Sequence, residues 1–152
     1  MDPEVINLLS SDNYLIQNNN IVFSCFQEKE DFWLNENFNL RTENYLLEFL
    51  EKSYKMTLEV GAGIGSCTEP LNSISDHIVA LEPSIKAIEF SKKRNLKNIT
   101  YIASNSFKLP FNDKSFDLVA CITVIEHIPK EFCEQFLSEM KRVLKENGTF
   151  LI

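Results

Sequence analysis

Glycine is scarce in this sequence: four occur in 152 residues, and three of those stand within five positions, at 61, 63 and 65. Long apolar runs are absent, and nothing approaches the ~20 residues that a helix needs to cross a bilayer. Basic residues are outnumbered, with 15 Lys and Arg against 22 Asp and Glu and a formal charge of −7. That balance argues against nucleic acid as a partner, because phosphate-backbone binding draws on clustered cations. The four cysteines (Cys25, Cys67, Cys121, Cys133) form no CxxC pair and lack a histidine at zinc-ligand spacing. They read as reduced thiols, and neither a disulfide framework nor a metal site is expected. The start, Met1-Asp2-Pro3-Glu4, lacks the basic segment of a secretory signal, so a cytoplasmic location is the expectation.

What is present divides into two textures. Residues 1–41 are rich in Asn and carry aromatic residues without clean period (Tyr14, Phe23, Phe26, Phe32, Trp33, Phe38), as expected of a helical N-terminal segment serving as cap or lid. Their alternative role is ordinary packing against the sheet edge. Residues 42–152 are regular. Thr42 suits the cap of a helix with Tyr45, Leu46, Phe49 and Leu50 on its apolar face.

Strand-like runs follow at 55–60, 77–81, 99–103 and 116–121, and a fifth opens at Thr149. Helical segments separate them, one capped by Ser84. The longest, 130–145, is strongly amphipathic through Phe132, Phe136, Leu137, Met140, Val143 and Leu144, with Asn147-Gly148 as its stop. Such alternation implies an α/β fold with a parallel sheet covered on both faces. The basic run Lys92-Lys93-Arg94 with Lys97 falls at a helix end and reads as a complement to the helix dipole.

The glycine cluster Gly61-Ala62-Gly63-Ile64-Gly65 follows a strand and opens a helix, which places its N–H groups toward the crevice at the strands' carboxyl ends. One glycine would suffice for a tight turn, so three point to a ligand. A dinucleotide fingerprint needs G-x-G-x-x-G, whereas position 66 is serine, and no Gly-Lys-Ser/Thr follows for a P-loop. Glu59 lies two positions before the first glycine, where it opposes a pyrophosphate and suits a positive amino group. That logic favours S-adenosylmethionine over NAD or ATP. Glu82, ending the second strand, is placed to accept hydrogen bonds from ribose hydroxyls. In Ser104-Asn105-Ser106-Phe107, Asn105 offers an amide to an adenine edge, the Ser106 or Phe107 N–H suits a ring nitrogen, and Phe107 a ring face; a plain polar turn is the competing reading.

These residues resemble a known family. Leu58-Glu59-Val60-Gly61-Ala62-Gly63-Ile64-Gly65 is similar to the first motif of class I S-adenosylmethionine-dependent methyltransferases, and Leu81-Glu82-Pro83-Ser84 to the second. The runs 109–119, 124–128 and 139–149 continue the likeness to the small-molecule, type 11-like branch. It covers roughly residues 56–152. The resemblance implies a Rossmann-like sheet with its five visible strands in the order 3-2-1-4-5. It also implies that Glu59 and the glycine loop (Gly61, Ala62, Gly63, Gly65) hold the methionine end. Glu82 and Pro83 would sit at the ribose, and Asn105, Ser106 and Phe107 at the adenine. The segment from Ile122 to His127 would line the pocket. Asn105 stands where the family usually has aspartate.

The expected function is transfer of a methyl group from S-adenosylmethionine to a small-molecule acceptor. His127 is the one weak candidate for a catalytic residue, with a packing or cofactor-side role favoured, and His77 reads as structural. The family's sheet has seven strands and the sequence ends within the fifth, so the domain is expected to be C-terminally incomplete. The alternative function is therefore a non-catalytic or truncated S-adenosylmethionine-binding module, completed by a partner chain or self-pairing at the fifth-strand edge. An NAD-dependent oxidoreductase is a third reading, opposed by Ser66 and Glu59.

Overall fold

The computed structural model describes residues 14–17, 20–23, 50 and 53–152. The described strands are β1 (Tyr14–Gln17), β2 (Asn20–Phe23), β3 (Tyr54–Val60), β4 (Ser75–Glu82), β5 (Ile99–Ala103), β6 (Phe116–Ala120) and β7 (Leu144–Leu151). Among the described residues three α-helices join them: α1 (Thr68–Asn72), α2 (Ile85–Lys92) and α3 (Cys133–Val143). One sheet results, in the order β1-β2-β5-β4-β3-β6-β7. Its last five members are the expected 3-2-1-4-5 arrangement, all parallel.

Period-two burial divides the core between the two faces. From β4, Val79 and Leu81 join one cluster while Ile78 and Ala80 join the other; Val119 of β6 separates from Leu118 and Ala120 in the same way. Helix α3 covers the first face with Phe136, Met140 and Val143. Leu71 of α1 and Ile88 of α2 belong to the cluster on the second face. Central β3 is buried over six of its seven residues, the pattern of a strand covered on both sides. Ser84 caps α2 as expected, its hydroxyl accepting from the Ala87 N–H at 3.2 Å.

Two expectations are corrected. The described residues within 1–41 are strands rather than helix, pairing antiparallel with each other and, through β2, parallel with β5. Leu15-Ile16 and Ile21-Val22-Phe23 are the aliphatic, β-branched and aromatic types that favour strands. The rest of that segment, Trp33 included, and the helix expected after Thr42 lie outside the described residues.

The second correction concerns the amphipathic helix. It opens as a single 3-10 turn (Lys130–Phe132), leaving Phe132 43% exposed, and α3 ends at Val143 rather than Lys145. The last carbonyls of a helix lack partners within it. Here the N–H groups of Lys114 and Ser115 donate to the carbonyls of Arg142 and Val143, at 2.9 and 2.8 Å. Leu144 is then extended and pairs with Phe116, while Leu118 pairs with Thr149, so Asn147-Gly148 lies in an irregularity of β7.

Candidate functional site

Strand order reverses between β3 and β6, and an α/β sheet opens a crevice at the carboxyl ends of the strands where this happens. A cavity of about 310 Å³ lies there. Its wall carries Glu59, Gly61, Ala62, Gly63, Glu82, Pro83, Asn105, Ser106, Phe107, Ile122 and His127, every expected site residue except Gly65.

The glycine loop is laid against β4 by its own backbone. The N–H groups of Gly61 and Ala62 both donate to the Leu81 carbonyl, at 2.8 and 3.1 Å. All three glycines have positive φ, at 74°, 53° and 87°. Only Gly63 borders open space, with no atom within 4 Å of where a Cβ would stand. A Cβ on Gly61 would overlap Val124, in the loop after β6, and one on Gly65 would overlap the Ser91 hydroxyl of α2. Two of the three glycines therefore admit the protein's own side chains, and Gly65 packs against α2 instead of lining the cavity.

The two acids behave differently. Glu59 is 3% exposed, and one carboxyl oxygen accepts from the Thr68 hydroxyl at 2.7 Å. Burial pushes its pKa up to about 8; the Thr68 hydrogen bond opposes this and the charge of Glu82 adds to it. A buried acid with a single hydrogen bond at a cavity wall fits a cationic ligand group. Glu82 is also buried, but both its oxygens are engaged, accepting from the Gly63 N–H and the Ser84 N–H at 2.9 Å each. A carboxylate offers about four acceptor positions, so one that holds backbone N–H groups can also accept from ribose hydroxyls.

In the β5–β6 loop, the Asn105 side-chain oxygen accepts from the Phe107 N–H at 3.3 Å. That contact takes up one expected adenine donor and leaves the Ser106 N–H. The Phe107 ring meets that of Phe132 at 5.3 Å between centroids, and Gln135 donates to the Phe107 carbonyl at 3.1 Å. After β6, Thr123 lines the cavity with φ 54°, a conformation rare for a β-branched residue and of the kind that gathers at ligand sites. His127 lies at the wall with its side chain 45% exposed and its Nε2 4.0 Å from Glu126. His77 does not line the cavity, and its ring pairs with the Thr100 hydroxyl at 3.0 Å.

Cavity-lining residues that were not expected at the site include Ser66, Cys67, Ser104 and Ile128. They flank the motif residues, and adjacency was the one available pointer. Burial pushes the Cys121 thiol up to about 12, which marks it as a core residue rather than a nucleophile. Among the described residues no group of His, Cys, Asp or Glu is arranged to hold a metal.

Comparison with known proteins agrees with this geometry. Residues 58–152 match the family described as "Methyltransferase domain". A ubiquinone biosynthesis O-methyltransferase of Rickettsia typhi is 32% identical over 114 residues, covering 72% of this chain and 45% of the relative. A demethylmenaquinone methyltransferase of Renibacterium salmoninarum is 33% identical, covering 62% and 39%. The chain thus spans less than half the length of these two relatives. Phosphoethanolamine N-methyltransferase 1 of Haemonchus contortus, solved with phosphoethanolamine and S-adenosylhomocysteine, superposes with a TM-score of 0.67 at 25% identity, covering 71% of this chain and 24% of that one. With more than half its length matched, and with the glycine loop, Glu59 and Glu82 gathered around one cavity, the chain belongs to the class I S-adenosylmethionine-dependent methyltransferase family.

Proposed function

We propose that the cavity binds S-adenosylmethionine and that the chain carries the cofactor half of an enzyme methylating a small-molecule acceptor. The observation that carries this reading is the position of Glu59, buried at the cavity wall with one hydrogen bond, beside a loop whose Gly63 faces open space. The cofactor supplies an activated methyl group, so the protein's part is alignment and exclusion of water. Glu59 balances a positive amino group. Glu82 meets the ribose while holding Gly63 and Ser84, and Ser106 with Phe107 meets the adenine.

For the acceptor, Phe107 and Ile128 at the cavity wall favour a molecule with an apolar ring. Two of the relatives carry quinone names, which accords with this class. His127 and Glu126 stand at the same wall and are the groups available to take a proton from a hydroxyl acceptor. Among the described residues no helix is long and apolar enough to cross a membrane.

Calorimetric titration with S-adenosylmethionine and S-adenosylhomocysteine, with NAD as control, tests the reading. Saturable binding of both, weakened by Glu82→Ala and absent for NAD, is expected. A folded chain that binds neither would overturn it.

A further inference from the structure

The basic run at the end of α2 does more than answer a helix dipole. Arg94 lies just beyond that helix, and its guanidinium turns back over the glycine loop. Nε donates to the Ile64 carbonyl at 3.0 Å, Nη2 to the Ser66 hydroxyl at 3.4 Å, and Nη1 to the Glu69 carboxylate at 2.7 Å. One planar group thus spans both sides of Gly65 and the first turn of α1, a geometry that a rigid fork of donors supplies and an ammonium does not.

The loop's first half is fixed by other means: Gly61 and Ala62 to the Leu81 carbonyl, and Gly63 to Glu82. Its second half, Ile64 to Ser66, has a local turn from the Gly65 N–H to the Ala62 carbonyl, a bond from the Glu69 N–H to the Gly65 carbonyl, and Arg94. Ile64 and Ser66 both line the cavity. Gly65 also needs its missing side chain here, because a Cβ would stand 3.1 Å from the Arg94 Cδ as well as against Ser91.

From this geometry we infer that Arg94 is a positioning residue of the cofactor site, holding the second half of the glycine loop where the methionine end of the ligand meets it. The inference rests on the proposed S-adenosylmethionine site. It separates Arg94 from the stability of the fold, since the Arg94–Glu69 pair is partly exposed, at 31% and 59%, and pairs of that kind contribute little to folding.

The test titrates the full chain, wild type and Arg94→Ala, with S-adenosylhomocysteine and separately with adenosine, which lacks the methionine. Thermal unfolding is read alongside. The expected result is a loss of about tenfold in affinity for S-adenosylhomocysteine (about 1.4 kcal/mol), with adenosine affinity and the unfolding midpoint nearly unchanged. Arg94→Lys should recover part of the loss, and Glu69→Gln, which leaves the bond to Ile64, should lose less than Arg94→Ala. Equal weakening of both ligands, or of neither, would overturn the inference while leaving the cofactor reading intact. A wild type that binds neither ligand would overturn both. Should Arg94→Ala fail to fold, the assignment of Arg94 to positioning rather than stability is wrong.

Discussion

The carboxylate of Glu82 accepts a hydrogen bond from the Gly63 N–H at 2.9 Å, so the acid expected at a ribose also tethers the glycine loop to the end of β4. Its other oxygen holds the Ser84 N–H at the start of α2. Glu82→Gln should therefore act before any ligand arrives. An amide presents one oxygen and one NH2 group, so one of the two N–H groups would face a donor. Bonds to charged acceptors contribute roughly 1.5–3 kcal/mol. A fall of the unfolding midpoint in ligand-free protein is expected, together with weaker binding of S-adenosylhomocysteine. An acid that served ribose alone would leave the ligand-free midpoint unmoved.

Glu59 gives the site a pH dependence of defined sign. Burial raises its pKa to about 8 from its ordinary value of 4.5. The folded state then binds more protons than the unfolded one between these values, so this group's contribution is full below about 4.5 and is lost as pH rises through about 8. Binding a cationic amino group favours the charged carboxylate and releases its proton. Affinity for S-adenosylhomocysteine should climb by up to about tenfold per pH unit below 8. It should turn over where the ligand's own α-amino group deprotonates, near or above ~8. Glu59→Gln should flatten the rising limb. Calorimetry from pH 6 to 9 in buffers of differing ionisation enthalpy would count the proton directly.

The three clustered glycines should respond differently to alanine. At Gly63 the added methyl meets no protein atom, so Gly63→Ala should fold at a cost of about 1–2 kcal/mol for the left-handed backbone, and show its main loss in ligand affinity. At Gly61 the methyl overlaps Val124, so stability should fall further. Val124→Ala, made in the same chain, should recover part of it. Chemical denaturation of the two single variants and the double variant measures that coupling. Additive effects would show that the two sites do not meet.

The contrast among these glycines indicates what a sequence discloses. The glycine cluster, the acids at 59 and 82 and the apolar run of Ile78, Val79, Ala80 and Leu81 are local patterns, and the structure bears out the strand order that the family resemblance carried by these motifs implied. The reasons behind individual residues are not local. Gly61 answers to Val124 and Gly65 to Ser91, partners 63 and 26 positions away. Helix α3 stops at Val143 because Lys114 and Ser115 capture its final carbonyls, although Leu144 and Lys145 continue the helical pattern. Arg94 read as one cation of a run, since nothing beside it in sequence announces the Ile64 carbonyl it holds.

Arg142 makes the same kind of long-range bond between α3 and the loop that follows β5. Its guanidinium donates to the carbonyls of Leu109 and Phe111 at 3.0 and 2.7 Å, to Asp113 and to Glu139, while Glu139 accepts from the Leu109 N–H at 2.8 Å. The β5–β6 loop that carries Phe107 is thereby fastened to α3. Arg142→Ala leaves two carbonyls of buried residues without this donor, at about 1–3 kcal/mol each where water cannot replace it. The side chain is 30% exposed, so the lower end of that range is expected, and Arg142→Lys should fall between the variant and wild type. Acid provides a second readout. The hydrogen bond from Arg142 holds the Glu139 carboxyl below its ordinary range, so its stabilisation is present above about 4.5 and lost as pH falls through the lowered value. In Arg142→Ala that acid-dependent portion should shrink, and urea unfolding at pH 3.5 and 6 should differ less between the two conditions than it does in wild type. An unchanged difference would show that Glu139 draws its low pKa from the Leu109 N–H instead, and that the fastening of the loop does not depend on the arginine.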